Sequence, residues 1–185
     1  MRRLFLFLSF ILFVYSCTYG PYITTLGDEF SDTHEIAILN NYVDILNQTD
    51  VLEQVLVGTG NKHLKMNCTY KPDNDSGKIT LVVQYWGSDW IFIRGGESLI
   101  LIIDGEKINL TGTGSNNFRD IGKDGSNVRE FSFYQISKDL LKKITYANEV
   151  KLKVIGDKGN ILSKFNENNF NIYKEFYTTY VEIKE

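Results

Sequence analysis

Cysteine and histidine, the side chains that zinc sites and Cys–His dyads require, are scarce in this chain of 185 residues, which has two of each. So few ligands argue against a zinc site or a Cys–His catalytic dyad. A disulfide framework is not expected either, because a domain of this size does not need one. A Gly-x-Ser-x-Gly nucleophile elbow and a complete phosphate-binding loop are also missing. We therefore expect no metal, no cofactor and no catalytic activity.

The sequence also lacks an excess of positive charge, with 20 Lys and Arg residues against 23 Asp and Glu residues. Proteins that bind nucleic acid electrostatically carry basic patches or stripes. A mildly acidic chain without a basic block is a poor candidate for nucleic acid and for anionic lipid headgroups. Any attachment to a membrane would have to come from lipid chains.

Long apolar runs are likewise few. The run at the start of the chain, Leu4 to Tyr15, is broken only by Ser9 and is shorter than the roughly 20 residues that span a bilayer. It follows Met1-Arg2-Arg3 and precedes the small residue Ser16, the pattern of a secretory signal peptide. We therefore predict that residues 1–16 are removed from the mature protein.

The residue after the expected cleavage point is Cys17. Val14, Ser16 and Cys17 resemble the lipobox of bacterial lipoproteins. The resemblance implies that Cys17 is acylated, becomes the new N-terminus and contacts membrane lipid through its acyl chains. It also implies a lipoprotein of the bacterial cell envelope, at the periplasmic face or the cell surface. Residues 17–33 are expected to form a flexible tether, and residues 34–185 a single globular domain.

Alternating apolar residues predict a β-rich domain. Residues 78–86 alternate, as expected of a strand, and Asp104-Gly105 is a strong signal for a hairpin turn. Residues 99–103 form a short apolar run, expected of a strand covered on both faces. In the strand predicted from residue 63, Cys68 shares the apolar phase, so we expect it in the core. The fold class is α+β: a mainly antiparallel sheet, either a sandwich or a curled sheet, with two or three packed helices.

Three segments have helical spacing. Ser137 can cap a helix that continues to Ala147, and Asn166 can cap a C-terminal helix. Apolar residues within 34–58 also recur at helical intervals, and we expect a helix there.

The strongest candidate site is the stretch from Tyr85 to Trp90. Trp86 and Trp90 flank a tight turn beside Asp89, with Arg94 just beyond. Aromatic platforms with a carboxylate suit sugar rings. The alternative is a hairpin turn whose tryptophans fill the core, and the sequence leaves both interpretations open.

Catalytic carboxylates and a calcium site receive less support. Asp120–Gly125 has only part of an EF-hand loop. Glycosidase chemistry needs two acids across a cleft, and candidate pairs exist, but spacing on hairpins cannot establish that geometry. They are Asp89 with Glu97, Asp104 with Glu106, and Glu130 with Asp139.

The function predicted from the sequence is that of a lipid-anchored, non-catalytic binding or interaction module of the cell envelope. A first alternative is a carbohydrate-binding or glycan-processing lipoprotein that uses Trp86, Trp90 and an acid such as Asp89. A second alternative is a structural or assembly accessory that packs against envelope proteins through an exposed sheet edge.

Overall fold

The structure is a computed structural model that describes residues 20–27, 34–46, 62–72, 77–122 and 125–182. Within these ranges the chain forms two α-helices, α1 (Lys138–Thr145) and α2 (Glu167–Phe176), and a π-helical segment (Tyr177–Val181) that continues α2. The strands are β1 (Tyr22–Leu26), β2 (Glu35–Leu39), β3 (Asp44–Ile45), β4 (His63–Lys71), β5 (Lys78–Gly87), β6 (Gly95–Ile103), β7 (Glu106–Thr113), β8 (Asn116–Gly122), β9 (Gly125–Ile136), β10 (Val150–Gly156) and β11 (Gly159–Lys164).

The strands form two sheets. One has six strands in the order β1-β2-β4-β5-β9-β8, and the other has five in the order β3-β11-β10-β6-β7. Neighbouring strands in both sheets are antiparallel. The predicted α+β class, with a mainly antiparallel sheet and two helices, is confirmed.

One hydrophobic cluster draws side chains from both sheets, from both α-helices and from the π-helical segment. Strand β4 contributes Leu64, Met66, Cys68 and Tyr70, which share one face of the strand. Cys68 is buried as predicted. Burial, reinforced by the nearby negative charge of Glu35, raises the pKa of its thiol far above the ordinary value. A thiol that resists ionisation is a packing group and a poor nucleophile.

The predicted Asp104-Gly105 hairpin joins β6 to β7. Both residues have positive φ, 47° for Asp104 and 88° for Gly105, which is the conformation that a two-residue type I′ turn requires. The expectation that residues 99–103 are covered on both faces is wrong at Ile102, whose side chain is 37% exposed. One face of β6 therefore contacts solvent at this position.

Both capped helices are present where the sequence predicts them. The Ser137 hydroxyl accepts a hydrogen bond from the Leu140 N–H at 3.1 Å. Asn166 and Asn169 form a reciprocal capping box at the start of α2. The Asn169 amide also donates to the Asn41 side chain at 2.6 Å, so the same residue that caps the helix fastens it to the chain that follows β2.

The predicted helix within residues 34–58 is wrong where the structure describes the chain. Residues 35–39 form β2 and residues 44–45 form β3. Asn40, between them, has a φ of 56°, which an α-helix cannot continue through. Ile36, Ala37 and Ile38 pair with β4, so long-range pairing overrides the local helical spacing. Residues 47–58 lie outside the described residues.

The flexible tether predicted for residues 17–33 is corrected at Tyr22–Leu26. These residues form β1, an edge strand whose five residues all pair with β2. The backbone hydrogen bonds of this pairing fix a segment whose own sequence has weak periodicity. Residues 17–19 and 28–33 lie outside the described residues.

Candidate functional site

A row of aromatic and basic side chains crosses the face of the six-stranded sheet that points away from the core. His63 lies opposite Trp86, Trp86 opposite Arg129, and Arg129 opposite Phe118. Because paired residues of antiparallel strands project to the same side, strands β4, β5, β9 and β8 bring these four side chains together. We call this surface the outer face; it also carries Lys65, Lys71, Lys78, Gln84, Phe131, Phe133 and Gln135.

Cations lie over aromatic rings at one end of the outer face. The Arg129 guanidinium is 4.8 Å from the centre of the Trp86 ring, and the Lys65 ammonium is 4.5 Å from the centre of the Tyr42 ring. The His63 ring lies edge-on between Tyr42 and Trp86, at 5.8 and 6.2 Å. These contacts are attractive and favour one arrangement of the rings and charges.

A shallow depression of about 420 Å³ lies beside this row, where β8 meets β9. Phe118 packs edge-on against Phe131 with ring centres 5.7 Å apart. Phe118 is 58% exposed and Phe133 is 37% exposed. The remaining lining residues are Asn116 and Asn117. Exposed rings beside amide groups form a surface that can stack on a ligand and bond to its hydroxyl groups.

A buried carboxylate organises the loop Ser88–Arg94, which we call the clamped loop. Glu130, on β9, has no exposed surface. Its Oε1 accepts hydrogen bonds from the Ile91 and Phe92 N–H groups at 2.6 and 3.0 Å. Its Oε2 accepts from the Ile93 N–H at 2.9 Å and from the Ser115 hydroxyl at 2.6 Å. Four donors satisfy a charge that would otherwise be costly to bury.

The clamped loop holds an aromatic pair in a strained conformation. Phe92 has a φ of 51°, which is unfavourable for a large side chain. Its ring stacks on Trp90 at 5.9 Å, and the Lys158 ammonium lies 4.8 Å from its centre. Arg94 pairs with Asp157 at 2.6 Å. The strained backbone is kept in place because Glu130 binds the N–H groups on both sides of Phe92.

Tyr85 fastens the start of the clamped loop from inside the core. Its hydroxyl donates to the Asp89 carbonyl at 3.0 Å. Burial, with smaller effects from the charges of Glu130 and Asp89, raises the pKa of Tyr85 to about 12. Tyr85 therefore stays neutral and able to donate at any physiological pH.

The structure divides the four residues singled out from the sequence between these two regions. Trp86 lies on the outer face, where its ring contacts are with His63 and Arg129. Asp89, Trp90 and Arg94 belong to the clamped loop. Trp90 is packed against the hydrophobic core, whereas Asp89 and Arg94 are exposed.

Sequence reasoning missed most of the outer face. Arg129, Phe131 and Phe133 alternate along one predicted strand, and Phe118 lies ten residues before Val128, the first residue of that strand. The alternation was visible, but nothing local shows that these residues share a face with Trp86.

Several of the candidate carboxylates make contacts that hold the fold together. The Glu130 carboxylate is occupied by three backbone N–H groups of the clamped loop and by the Ser115 hydroxyl. Asp104 accepts backbone hydrogen bonds from Asn148 and Glu149 at 2.9 and 2.8 Å, which fixes the chain after α1. Glu106 is paired with Lys143. Among the described residues, no three His, Cys, Asp or Glu side chains are grouped as metal ligands.

The predicted signal peptide and Cys17 lie outside the described residues. Of the helices in the described ranges, none combines the length and the apolar character needed to cross a membrane.

No protein-family model matches this chain. Comparison with curated proteins and with solved structures likewise gives no significant match.

Proposed function

We propose that the protein is a lipid-anchored, non-catalytic binding module of the bacterial cell envelope, with the outer face as its binding surface. The observation that carries the proposal is the row of Trp86, Arg129 and Phe118 across three neighbouring strands, continued by the exposed Phe133. Contiguous exposed apolar surface on a soluble domain marks an interaction site more often than chance placement does.

A rigid surface suits binding better than chemistry. Glu130 and Asp104 accept hydrogen bonds from backbone N–H groups, and Glu130 also accepts one from the Ser115 hydroxyl, so both carboxylates hold the fold. Apart from His63, the described side chains named on the outer face are rings, amides and cations, which contact a ligand but do not act as general bases. These features support recognition of a ligand without its conversion.

We also infer that the two sheets pack as a sandwich. Ser98 of β6 and Tyr134 of β9 share a hydrogen bond of 2.9 Å between the sheets, and apolar residues of both sheets belong to one cluster. In this arrangement the inner faces supply the core and the outer face is left for binding.

A carbohydrate ligand is the favoured alternative to a protein partner, because sugar rings stack on exposed aromatic side chains. A role as an assembly accessory has one feature in its favour. Strand β8 is at the edge of the six-stranded sheet and carries the exposed Phe118, so a partner strand could extend the sheet there.

The anchor is tested by labelling cells with palmitate while they express wild type or Cys17→Ala, and by measuring the mass of the mature N-terminus. We expect label on the wild type alone, with residue 17 as the acylated first residue. Absence of label on the wild type, or cleavage elsewhere, contradicts the lipid anchor.

The binding surface is tested by measuring retention of the purified full chain on isolated cell-envelope material. Phe118→Ser combined with Phe133→Ser should reduce retention about tenfold, since two stacking rings are lost. Tyr180→Ser is the matched control, because Tyr180 is 41% exposed on a different element. Equal retention of all three chains contradicts a binding role for the outer face.

A further inference from the structure

We propose that the ligand of the outer face is an acidic glycan, a polymer of sugar rings that bear carboxylate groups. This inference depends on the proposed function, since it names the class of ligand for the same surface. It is carried by three properties of the outer face: the sign of its charge, the mixture of rings and amides, and its length.

The outer face is basic although the whole chain is acidic. The full sequence has a net charge of −3. By strand register, the positions on this face include four permanent cations, Lys65, Lys71, Lys78 and Arg129, and two acids, Glu35 and Asp120, beside His63. A local field opposite to the net charge favours an anionic ligand at this surface over the rest of the molecule.

Rings and amides alternate with the cations. Lys65, Gln84, Phe131 and Asn116 form one row across the four strands, next to the row that contains Trp86. Sugar rings present apolar faces for stacking and hydroxyl groups for amide hydrogen bonds, and a carboxylate pairs with Lys or Arg. Each chemical group of an acidic sugar therefore has a partner on this face.

The distribution of charge along the strands fits a polymer better than a single sugar. Lys71 lies opposite Lys78 at one end of β4 and β5, and His63 lies opposite Trp86 at the other end. Eight residues of antiparallel strand separate the two ends, a span of roughly 27 Å. Cations at both ends can bind carboxylates that lie several sugars apart on one extended chain.

Two other occupants fit less well. Two copies of the outer face brought together would place the four cations of one copy against those of the other, which is repulsive. An anionic membrane would satisfy the cations, but it has no use for the amides of Gln84, Asn116 and Gln135, which would lose hydrogen bonds to water on insertion.

The test measures binding of the full-length protein to polygalacturonate and to the same polymer with its carboxylates methyl-esterified. We expect binding to the acid form, weakening as salt is raised, and at least tenfold weaker binding to the ester. Lys71→Gln with Lys78→Gln should weaken binding to the acid roughly fivefold, from the loss of two exposed ion pairs. Lys107→Gln with Lys142→Gln changes the net charge equally, away from the outer face, and should leave binding unchanged.

Trp86→Ala and Phe118→Ser complete the test, with thermal unfolding of each variant as a check on folding. Loss of binding by Phe118→Ser, whose exposed ring contributes little to stability, supports the proposal even if Trp86→Ala fails to fold. Equal binding of acid and ester that Phe118→Ser abolishes would leave the binding surface in place and overturn the acidic ligand. Equally tight binding of single-stranded DNA or of anionic vesicles would also overturn it. Binding of the acid that no variant of the outer face reduces would overturn both this inference and the proposed surface.

Discussion

Trp86 and Trp90 lie four residues apart, yet they belong to regions of opposite character. Trp86 is at the end of a strand on an open surface, where its partners are side chains of neighbouring strands. Trp90 is in the clamped loop, whose backbone N–H groups are bound by the buried Glu130 carboxylate, and its ring packs against the core. The clamped loop is built for rigidity and the outer face for access. Under the proposed function, neighbouring residues of one motif would therefore serve stability and binding separately.

The clamped loop should be far more sensitive to mutation than the outer face, and Glu130→Ala should show the largest effect. Removing the carboxylate leaves the backbone N–H groups of Ile91, Phe92 and Ile93 without their acceptor. We expect a loss of about 4 kcal/mol in the free energy of unfolding, measured by chemical denaturation.

Glu97→Ala is the control for that experiment, because Glu97 is exposed and its one described hydrogen bond is with Asn109. It should change stability by less than about 0.5 kcal/mol. A comparable loss from both variants would show that Glu130 has no special role in holding the loop.

Gly156→Ala should have the next largest effect. Gly156 forms a bridge with Ile93, and a methyl group added there would collide with the Ile91 carbonyl group. That backbone is already fixed by Glu130, so it cannot move aside easily. We expect a loss of about 3 kcal/mol in denaturation experiments.

Gly95→Ala provides the matched control, since the nearest atom to an added methyl group would be the Thr113 carbonyl oxygen at 3.9 Å. If Gly156→Ala lowers the free energy of unfolding no more than Gly95→Ala does, the clamped loop deforms more readily than its hydrogen bonds indicate.

High pH should loosen the clamped loop through Tyr85. An unfolded tyrosine has a pKa near 10, whereas burial raises that of Tyr85 to about 12. Between these values the unfolded chain releases a proton that the folded chain retains, so stability falls as pH rises. The contribution of the Tyr85 hydroxyl to the free energy of unfolding is complete below pH 10. It decreases by roughly 1.4 kcal/mol for each pH unit between 10 and 12.

Tyr85→Phe should make the decline in stability above pH 10 less steep, as followed by denaturation at closely spaced pH values. Part of the decline will remain, because burial also raises the pKa of Tyr134 and Tyr173. An unchanged slope in Tyr85→Phe would contradict the role given to its hydroxyl.

Features set by local chemistry were predictable from the sequence. The Asp104-Gly105 turn requires two residues that tolerate positive φ. The cap at Asn166 requires only a hydrogen bond from the N–H of Asn169. A few adjacent residues therefore determine both the turn and the cap. Strand β2 was missed because its residues become a strand only by pairing with β4. Its short apolar sequence alone is compatible with helix.

The candidate site was predicted in part for the same reason. The sequence placed Trp86, Asp89, Trp90 and Arg94 in one group because they are neighbours along the chain. Glu130 fixes the loop that contains Trp90 and does not contact Trp86 in the same way, and it lies 39 residues after Ile91 in the sequence. No pattern near the tryptophans indicates that a distant carboxylate will bind the loop between them, so the division into two regions depends on tertiary structure.

Substituting each tryptophan in turn tests directly whether the two regions differ in their roles. Trp90→Ala removes a ring that packs against the core and stacks on Phe92, so it should cost about 2 kcal/mol of stability. Trp86→Ala removes a ring whose described contacts are His63 and Arg129 on the surface, and it should cost about 1 kcal/mol or less. Denaturation gives both values, and retention on envelope material should show the reverse order, with the larger loss for Trp86→Ala. If the two variants rank the same way in both measurements, stability and binding are not divided between the two regions, because the ring that matters more for folding would also matter more for the ligand.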